Sequence, residues 1–354
     1  MAASASLPTP PGVKYGGPTQ IFINNKFVSS VSGKTFKTVN PSTGEVIAEV
    51  AEGDKADIDR AVAAADEAFS KWRRVPGENR GKLLTRLAGL VEENLAVLAE
   101  AESLDNGMQI TLAKGNVKGL ASWLRHYAGY ADKLHGVSSP LSASNQLMYT
   151  IYEPLGVVGA IVPWNFPLSL AVWKLAPALA CGNTIVIKPS EKTPLSLLRL
   201  AELVVKAGFP PGVVNVVPGY GPTAGDALAR HMRVRKITFT GSVTSGRLIL
   251  KAAAETNLKK VTLELGGKSP IIVCDDADLD EAAFFAYNGL FINQGQFCAA
   301  GSRVFVQDSV YDQFVEKAVE LAERRLANVG SPQNAVSRHS LYPSRYPSLP
   351  LSPP

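Results

Sequence analysis

The amino-acid sequence predicts an α/β protein whose sheet is mainly parallel and covered by helices on both faces. Between residues 156 and 265, short apolar runs alternate with segments of helical periodicity. The runs lack the alternation of apolar and polar residues that a half-solvated sheet requires, so both of their faces are expected to be buried. This pattern is typical of a Rossmann-like, doubly wound sheet. A second α/β unit is expected to follow from residue 271.

The N-terminal third of the chain precedes this pattern. Residues 1–20 are rich in Ala, Ser, Pro and Gly, and this composition predicts disorder. Residues 21–28 and 48–50 alternate like short strands, with turn residues at 39–44 between them. Apolar residues at helical spacing then predict three helices. These helices are expected over residues 54–72, 81–104 and 110–134.

The central pattern begins with a strand predicted over residues 148–158, after a polar stretch at 138–146. The strands of the main sheet are predicted over residues 157–161, 184–187, 213–217, 236–239 and 260–263. The connecting helices are predicted over residues 168–181, 195–207, 223–231 and 245–254.

Four polar or glycine-containing segments lie at the predicted carboxyl ends of these strands. Pro163 follows one strand, Lys188 and Gly241 follow two others, and Glu264 ends a fourth. Ligands of open parallel sheets bind beyond the carboxyl ends of the strands. The sequence therefore predicts a ligand site at this edge of the sheet.

The second unit is short. It comprises a strand over 270–274, a helix begun by the acidic residues 275–278, a strand over 302–306 and a helix over 310–326. Residues 331–354 are half Ser and Pro without periodicity, which does not favour a packed core. A frame shift, an unspliced intron or a short isoform would each explain that tail, and sequencing the transcript would test them.

Composition and charge exclude several classes of function. The chain has 354 residues with 46% hydrophobic and 19% charged residues, and a net charge of +5. Lys and Arg are scattered rather than clustered, which argues against nucleic-acid binding. No apolar run is long enough to span a membrane. The N-terminus lacks the patterns of a secretory signal or a transit peptide, so a cytoplasmic location is expected.

The three cysteines are widely spaced, which argues against both a disulfide framework and a zinc site. The four histidines form no metal-ligand pattern, so no metal is expected. Cys181 and Cys274 are interpreted as packing residues. Cys298, within Phe-Ile-Asn-Gln-Gly-Gln-Phe-Cys-Ala-Ala-Gly-Ser-Arg, is the candidate nucleophile, although a lone cysteine is more often a small packed hydrophobe.

Three upstream motifs change the interpretation of Cys298. They are Pro163-Trp164-Asn165-Phe166-Pro167, the segment Phe239-Thr240-Gly241-Ser242 with Gly246, and Leu263-Glu264-Leu265-Gly266-Gly267-Lys268. In this order and at these spacings, the four motifs resemble the NAD-dependent aldehyde dehydrogenase superfamily over roughly residues 21–330. The family would continue for well over a hundred further residues, so the catalytic domain is expected to be truncated.

The resemblance implies a domain organisation. Residues 21–135 and 155–270 would form the nucleotide-binding domain, and 136–154 a bridging hairpin used in oligomerisation. Residues 271–330 would be a partial catalytic domain, and 331–354 a tail foreign to the family. The resemblance also implies a homo-oligomer.

The resemblance assigns three catalytic residues. Cys298 would attack an aldehyde, and Asn165 with the backbone N–H of Cys298 would stabilise the oxyanion. Glu264 would be the base that activates water against the resulting thioester. Without the resemblance, Asn165 fits a turn between two prolines and Glu264 fits an exposed strand end.

The resemblance also assigns ligand contacts. NAD would bind at the segment containing Gly241 and Ser242, which is not the Gly-x-Gly-x-x-Gly fingerprint but joins a strand to a helix start. Lys188 and Glu191 would hold the adenosine ribose, and Glu191 would favour NAD over NADP by repelling a 2′-phosphate. The other residues implied in cofactor binding are Trp164 and Leu265. Those implied in lining an aldehyde tunnel are Phe166, Trp173 and Phe297.

Two alternatives remain beside an NAD-dependent aldehyde dehydrogenase. In the first alternative, the chain is a catalytically inactive fragment that retains at most nucleotide binding. A partial catalytic domain would give the nucleophile less support. A related enzyme that passes the thioester to coenzyme A is a further alternative, against which Glu264 argues.

Overall fold

The computed structural model describes residues 15–140 and 146–326, so the predictions for residues 1–14 and 331–354 lie outside the described residues. The strands are β1 (Ile21–Ile23), β2 (Lys26–Val28), β3 (Thr35–Val39), β4 (Val46–Ala51), β5 (Ser138–Pro140), β6 (Leu147–Tyr149), β7 (Val157–Ile161), β8 (Thr184–Lys188), β9 (Val214–Val216), β10 (Val234–Gly241), β11 (Lys260–Leu265), β12 (Pro270–Val273) and β13 (Arg303–Val306). The α-helices are α1 (Lys55–Trp72), α2 (Gly77–Glu93), α3 (Leu95–Asn106), α4 (Ile110–Tyr130), α5 (Pro167–Ala180), α6 (Leu195–Ala207), α7 (Asp226–Arg230), α8 (Val243–Ala254), α9 (Leu279–Phe291) and α10 (Tyr311–Leu326).

The central sheet confirms the predicted α/β class. Its strand order is β11-β10-β7-β8-β9-β1-β2. The strands from β11 to β9 are parallel, whereas β1 pairs antiparallel with both β9 and β2. Every residue of β7 and β8 is buried, as expected for strands covered on both faces. The carboxyl ends of the parallel strands therefore meet along one edge of the sheet.

Two apolar layers enclose this sheet because successive strand residues point to opposite faces. On one face, Val158 and Ala160 belong to the layer formed with α2, α3, α4, α5 and α6. On the other face, Val157 and Ile161 belong to the layer formed with α1, α7 and α8. Burial at this scale contributes roughly 25 cal/mol per Å² of apolar surface removed from water.

Two predicted helices have different boundaries in the structure. The helix expected over residues 81–104 is wrong as a single element, because α2 ends and α3 begins at Asn94. The Asn94 backbone (φ −105°, ψ 20°) departs from helical geometry, and its Nδ2 donates to the carbonyl of Leu90. A side chain that bonds its own helix end competes with continuation of the helix. The helix expected over 110–134 ends at Tyr130.

The strand expected over residues 148–158 is also wrong as one element. Residues 150–156 separate β6 from β7. β5 and β6 pair with each other as an antiparallel hairpin in a sheet of their own. The hairpin exposes Leu147 and Tyr149, and Ile151 and Tyr152 after it are exposed as well.

The first two N-terminal strands, β1 and β2, form one edge of the main sheet. The strand expected over 21–28 divides into β1 and β2, because Asn24 and Asn25 take left-handed backbone angles (φ 57° and 60°). Two successive left-handed residues are typical of a tight hairpin turn, and Asn tolerates this conformation better than most residues. β3 and β4 form a separate hairpin.

The second unit is small. β12 and β13 are parallel, and α9 and α10 cover them with a core that comprises Val273, Ala283, Ala286 and Phe314. Ile272 and Phe305 remain 74% and 53% exposed. Within residues 15–140 and 146–326, none of the helices combines the length and the apolar character needed to cross a membrane.

Candidate functional site

A cavity of 790 Å³ follows the open face of β10 and β11. Glu264 and Cys298 both line it, although they are 34 residues apart in the sequence. The wall on the helix side includes Trp173 and Lys174 of α5 and Trp123 of α4. The cavity therefore brings the candidate nucleophile and the candidate base together at the predicted edge of the sheet.

The segment around Cys298 lies between the two units. The Cys298 side chain is exposed. A Cβ placed on Gly267, three residues after Glu264, would lie 3.7 Å from the carbonyl oxygen of Cys298. That distance is an ordinary van der Waals contact, so the loop after β11 lies next to the backbone of the candidate nucleophile.

Asn165 is in the turn between β7 and α5, and it contacts the segment before Cys298. Its Nδ2 donates to the carbonyl oxygen of Gln296 over 2.8 Å. Its own carbonyl oxygen accepts a hydrogen bond of 2.8 Å from Nδ2 of Asn293. A side-chain amide carries two hydrogens, so the bond to Gln296 leaves the second hydrogen for another acceptor.

Glu264 is exposed at the end of β11, where it is paired in register with Thr240 of β10. Lys174, which sequence reasoning missed, donates from its Nζ to Oγ1 of Thr240 over 2.7 Å. Burial lowers the pKa of Lys174 to about 8, while the nearby charge of Glu264 opposes the shift. The available sequence signal was a single charged residue, Lys174, within the mainly apolar sequence of α5.

Three side chains at the carboxyl-terminal end of α3 bind backbone groups of the segments around the site. Glu102 accepts from the N–H of Leu168 in α5, and Asp105 accepts from the N–H of Leu195 in α6. Asn106 donates to the carbonyl oxygens of Trp164 and Asn165. Sequence reasoning missed all three residues of α3, and a Glu-x-x-Asp-Asn run on a buried helix face would have indicated them.

The two buried carboxyl groups of α3 have unusual acidity. Burial raises the pKa of Glu102 to about 7, although the hydrogen bond from the N–H of Leu168 opposes it. Burial also raises the pKa of Asp105 to about 7, against hydrogen bonds from Thr38 and Leu195. Desolvation of the charged form is the main cause in both cases.

Lys188 ends β8 and is almost completely buried. Its Nζ donates to the carbonyl oxygens of Pro189 and Gly219, each over 2.7 Å. Oε2 of Glu191 lies 3.8 Å from the same nitrogen. Burial lowers the pKa of Lys188 to about 8, whereas Glu191 opposes that shift. The predicted lysine and glutamate are therefore close together, with Glu191 half-buried.

Trp164 and Glu191 line a second cavity, of 430 Å³, together with Asp105, Asn106 and Gln296. Nζ of Lys192 lies 5.7 Å from the centroid of the Trp164 ring. Trp164 is thus in a different cavity from Cys298 and Glu264. Trp164 is nevertheless adjacent in sequence to Asn165, which contacts the segment before Cys298. The chain therefore links the two cavities at this point.

The remaining predicted cofactor residues surround the start of α8. Gly241 pairs in register with Leu265, and Oγ of Ser242 accepts from the N–H of Ser245 as the helix N-cap. A Cβ on Gly246 would lie 3.1 Å from Cδ2 of Leu265, so this small residue lets α8 pack closely on β11. The start of a helix carries free N–H groups and a partial positive charge, which suit a phosphate.

The predicted substrate residues divide into two aromatic pairs. Phe166 and Phe297 meet edge to face with ring centroids 5.7 Å apart. Trp173 lies 5.5 Å from Trp123, which in turn stacks on Tyr127 at 5.9 Å. Trp123 and Tyr127, which sequence reasoning did not place at the site, both line the cavity.

No group of three or more His, Cys, Asp or Glu side chains within the described ranges is arranged to hold a metal ion.

Comparisons with known proteins identify a family. The model of the aldehyde dehydrogenase family matches residues 27–339. The chain is 53% identical to retinal dehydrogenase 2 of Homo sapiens over 339 residues, which cover 94% of the chain and 64% of the relative. An aldehyde dehydrogenase of Davidiella tassiana is 53% identical over 330 residues, covering 93% and 66%.

A solved structure gives the same result. The NAD⁺ complex of an aldehyde dehydrogenase from Bacillus cereus superimposes with a TM-score of 0.86 at 47% identity, covering 89% of this chain and 64% of that one. The chain thus spans slightly less than two thirds of the length of these proteins.

Proposed function

Because this chain belongs to the aldehyde dehydrogenase family, we propose that it oxidises an aldehyde to the carboxylic acid with NAD through a cysteine thiohemiacetal and a thioester. The observation that carries the proposal is the cavity onto which Cys298 and Glu264 both open. Its walls also carry aromatic rings, which favour an apolar aldehyde.

The residues at the strand ends fit a dinucleotide. Gly241 and the start of α8 offer a close backbone approach and free N–H groups to a pyrophosphate. Lys188 and Glu191 offer a cation and a carboxylate to ribose hydroxyls at the end of β8. These residues would hold NAD, which when bound supplies the acceptor for a hydride.

The first step would belong to the Cys298 thiolate. Its sulfur attacks the carbonyl carbon, a C–S bond forms and negative charge develops on the oxygen. The second hydrogen of Asn165 Nδ2 and the N–H of Cys298 would donate to this oxygen. Preorganised donors of this kind are typically worth about 10²–10³ in rate.

The last step would belong to Glu264. After loss of the hydride, Cys298 carries a thioester. Glu264 takes a proton from water, the resulting hydroxide adds to the thioester carbon, and the C–S bond breaks to release the acid and the thiolate. The exposure of Glu264 on the cavity gives water access to it.

The proposal is tested by mixing the purified chain with NAD and a panel of aliphatic and aromatic aldehydes. NADH absorbance should rise with time, and an equal amount of the carboxylic acid should appear by mass spectrometry. NADH without acid would contradict hydrolysis, and no NADH with any aldehyde would contradict the activity of this chain.

The position of Glu191 predicts cofactor preference. Glu191→Gln removes the carboxylate that would face the ribose 2′ position, so the ratio of kcat/KM for NADP to that for NAD should rise by about tenfold or more, since like charges in contact cost several kcal/mol. Initial rates with both cofactors measure this ratio. Glu202→Gln on α6 is the matched control and should leave the ratio unchanged. If Glu191→Gln leaves this ratio unchanged, Glu191 does not contact the ribose of the cofactor.

A second candidate function rests on the surface of the small unit. Ile272, Phe285, Phe291 and Phe305 are each more than half exposed. Exposed apolar patches favour association, so we also consider a non-catalytic chain that self-associates while retaining nucleotide binding. Gel filtration separates the two: a well-defined dimer or tetramer that produces NADH favours the enzyme, and heterogeneous aggregates without NADH favour this alternative.

The hairpin of β5 and β6 supports oligomerisation. Its exposed Leu147 and Tyr149, together with Ile151 and Tyr152, offer apolar surface to a second copy of the chain. We therefore propose that the expected homo-oligomer forms through this hairpin.

A further inference from the structure

Two hydrogen bonds, donated in opposite directions, join the turn after β7 to the segment before Cys298. Asn293 Nδ2 donates to the carbonyl oxygen of Asn165, and Asn165 Nδ2 donates to the carbonyl oxygen of Gln296, each over 2.8 Å. Asn293 thus binds the backbone of Asn165, and the side chain of Asn165 binds the backbone that leads to Cys298. We call this pair the amide clamp.

The backbone at the clamp is in an unusual conformation. Asn293, Gln294 and Gly295 all take positive φ angles, of 49°, 56° and 76°. Such residues cost free energy unless they are glycine, and they persist where the surroundings impose them. Asn293 is 4% exposed, and its Oδ1 is buried without a hydrogen-bond partner among the described residues. Both the backbone strain and the unpaired buried oxygen at this position cost free energy.

The turn after β7 is also bound by a residue of α3. Asn106 at the end of α3 donates to the carbonyl oxygens of Trp164, at 2.5 Å, and Asn165, at 3.4 Å. The carbonyl of Asn165 is thus bound from two elements. Because the peptide is fixed, rotation of the Asn165 side chain alone determines where its amide hydrogens point.

From this geometry we propose that Asn293 is a positioning residue for the oxyanion donor. Asn293 holds the backbone carbonyl of Asn165, and one hydrogen of the Asn165 side-chain amide then binds Gln296. The other amide hydrogen is directed toward the oxyanion of the substrate that is bonded to Cys298. The inference rests on the proposed function for its catalytic part. The clamp itself would also fix the Cys298 segment whether or not the chain is active.

The test compares Asn293→Gly with the parent chain. Glycine keeps the left-handed backbone and removes the side-chain donor together with the unpaired Oδ1. We expect kcat to fall by about 10- to 100-fold, as a small misplacement of a reacting group does. KM for NAD should stay the same, and the melting temperature should stay within about 3 °C of the parent.

Two further variants separate positioning from a general structural effect. Asn165→Ala removes the donor itself, so Asn293→Gly should add almost nothing to it in the double variant. Gln294→Gly relieves the same backbone strain at the exposed neighbour, so its kcat should equal that of the parent. Independent effects of the two asparagines, or an Asn293→Gly variant with parental kcat, would overturn the proposal.

A second readout distinguishes failure of the clamp from failure of the proposed function. Alkylation of Cys298 by iodoacetamide is followed by mass spectrometry, with exposed Cys274 as the internal reference. If the parent makes no NADH, the proposed function fails. The clamp then stands only if Asn293→Gly, Asn165→Ala and the double variant all alkylate Cys298 at one common rate above that of the parent. A parental rate in Asn293→Gly would overturn it.

Discussion

Cys298→Ala should reduce NADH production by at least about four orders of magnitude, because loss of a covalent nucleophile leaves only binding and electrostatic contributions to the rate. The methyl group of alanine cannot form the C–S bond on which every later step depends. Nucleotide binding should be unchanged, since the candidate cofactor residues lie at β8 and the start of α8. Absorbance at constant enzyme concentration and equilibrium binding of NAD measure the two effects separately.

Cys274→Ser is the matched control for this loss. Cys274 is also an exposed thiol, and it directly follows β12 in the same unit. Its replacement should leave NADH production at the parental level. If Cys298→Ala keeps the activity of the parent, the thioester route is wrong, and the same loss in Cys274→Ser would indicate damage to the small unit instead.

Glu264→Gln should lower steady-state turnover by about 10²–10⁴-fold, the usual contribution of a positioned general base. Glutamine has nearly the same shape but cannot accept the proton from water. Formation of the first NADH does not require that proton transfer, so a burst of about one NADH per active Cys298 should remain. Rapid mixing resolves the burst from the slow phase, and intact-mass analysis should find an acyl group on the protein.

Glu49→Gln provides the comparison for Glu264, because Glu49 is an exposed strand glutamate distant from the cavity in sequence and fold. It should keep parental turnover. If coenzyme A restores fast turnover in Glu264→Gln, or the parent releases an acyl coenzyme A, the thioester has an acyl acceptor other than water. A loss of both burst and turnover would assign Glu264 to an earlier step.

Much of the fold could be predicted because it depends on regular patterns. Apolar runs without alternation identified the parallel strands, and the rule that ligands bind beyond their carboxyl ends placed Lys188, Gly241 and Glu264 on one edge. The break at Asn94 could not be predicted in this way. It depends on one side chain that bonds its own helix end, while the apolar spacing continues across it.

The candidate site was less predictable where residues act through tertiary contacts. Lys174 and Asn293 gave no local motif of their own, because their roles depend on Thr240 and Asn165 in distant segments. Trp123 occupies an amphipathic helix position that suits a core residue equally well. Its exposure to the cavity is decided by how α4 packs against α5, which periodicity does not specify.

The carboxyl-terminal end of α3 makes the stability of the fold depend on pH. Because burial raises the pKa of Glu102 and of Asp105 to about 7, folding favours their protonated forms. Their contribution to stability is complete below the unfolded values near 4 and is lost as pH rises through about 7. Thiolate chemistry, in contrast, is favoured as pH rises. That loss of stability is complete near pH 7, below the range in which an ordinary thiol of pKa about 8.5 ionises. A buffer that favours the thiolate therefore leaves both buried carboxyl groups charged, and the fold must be stable without their contribution.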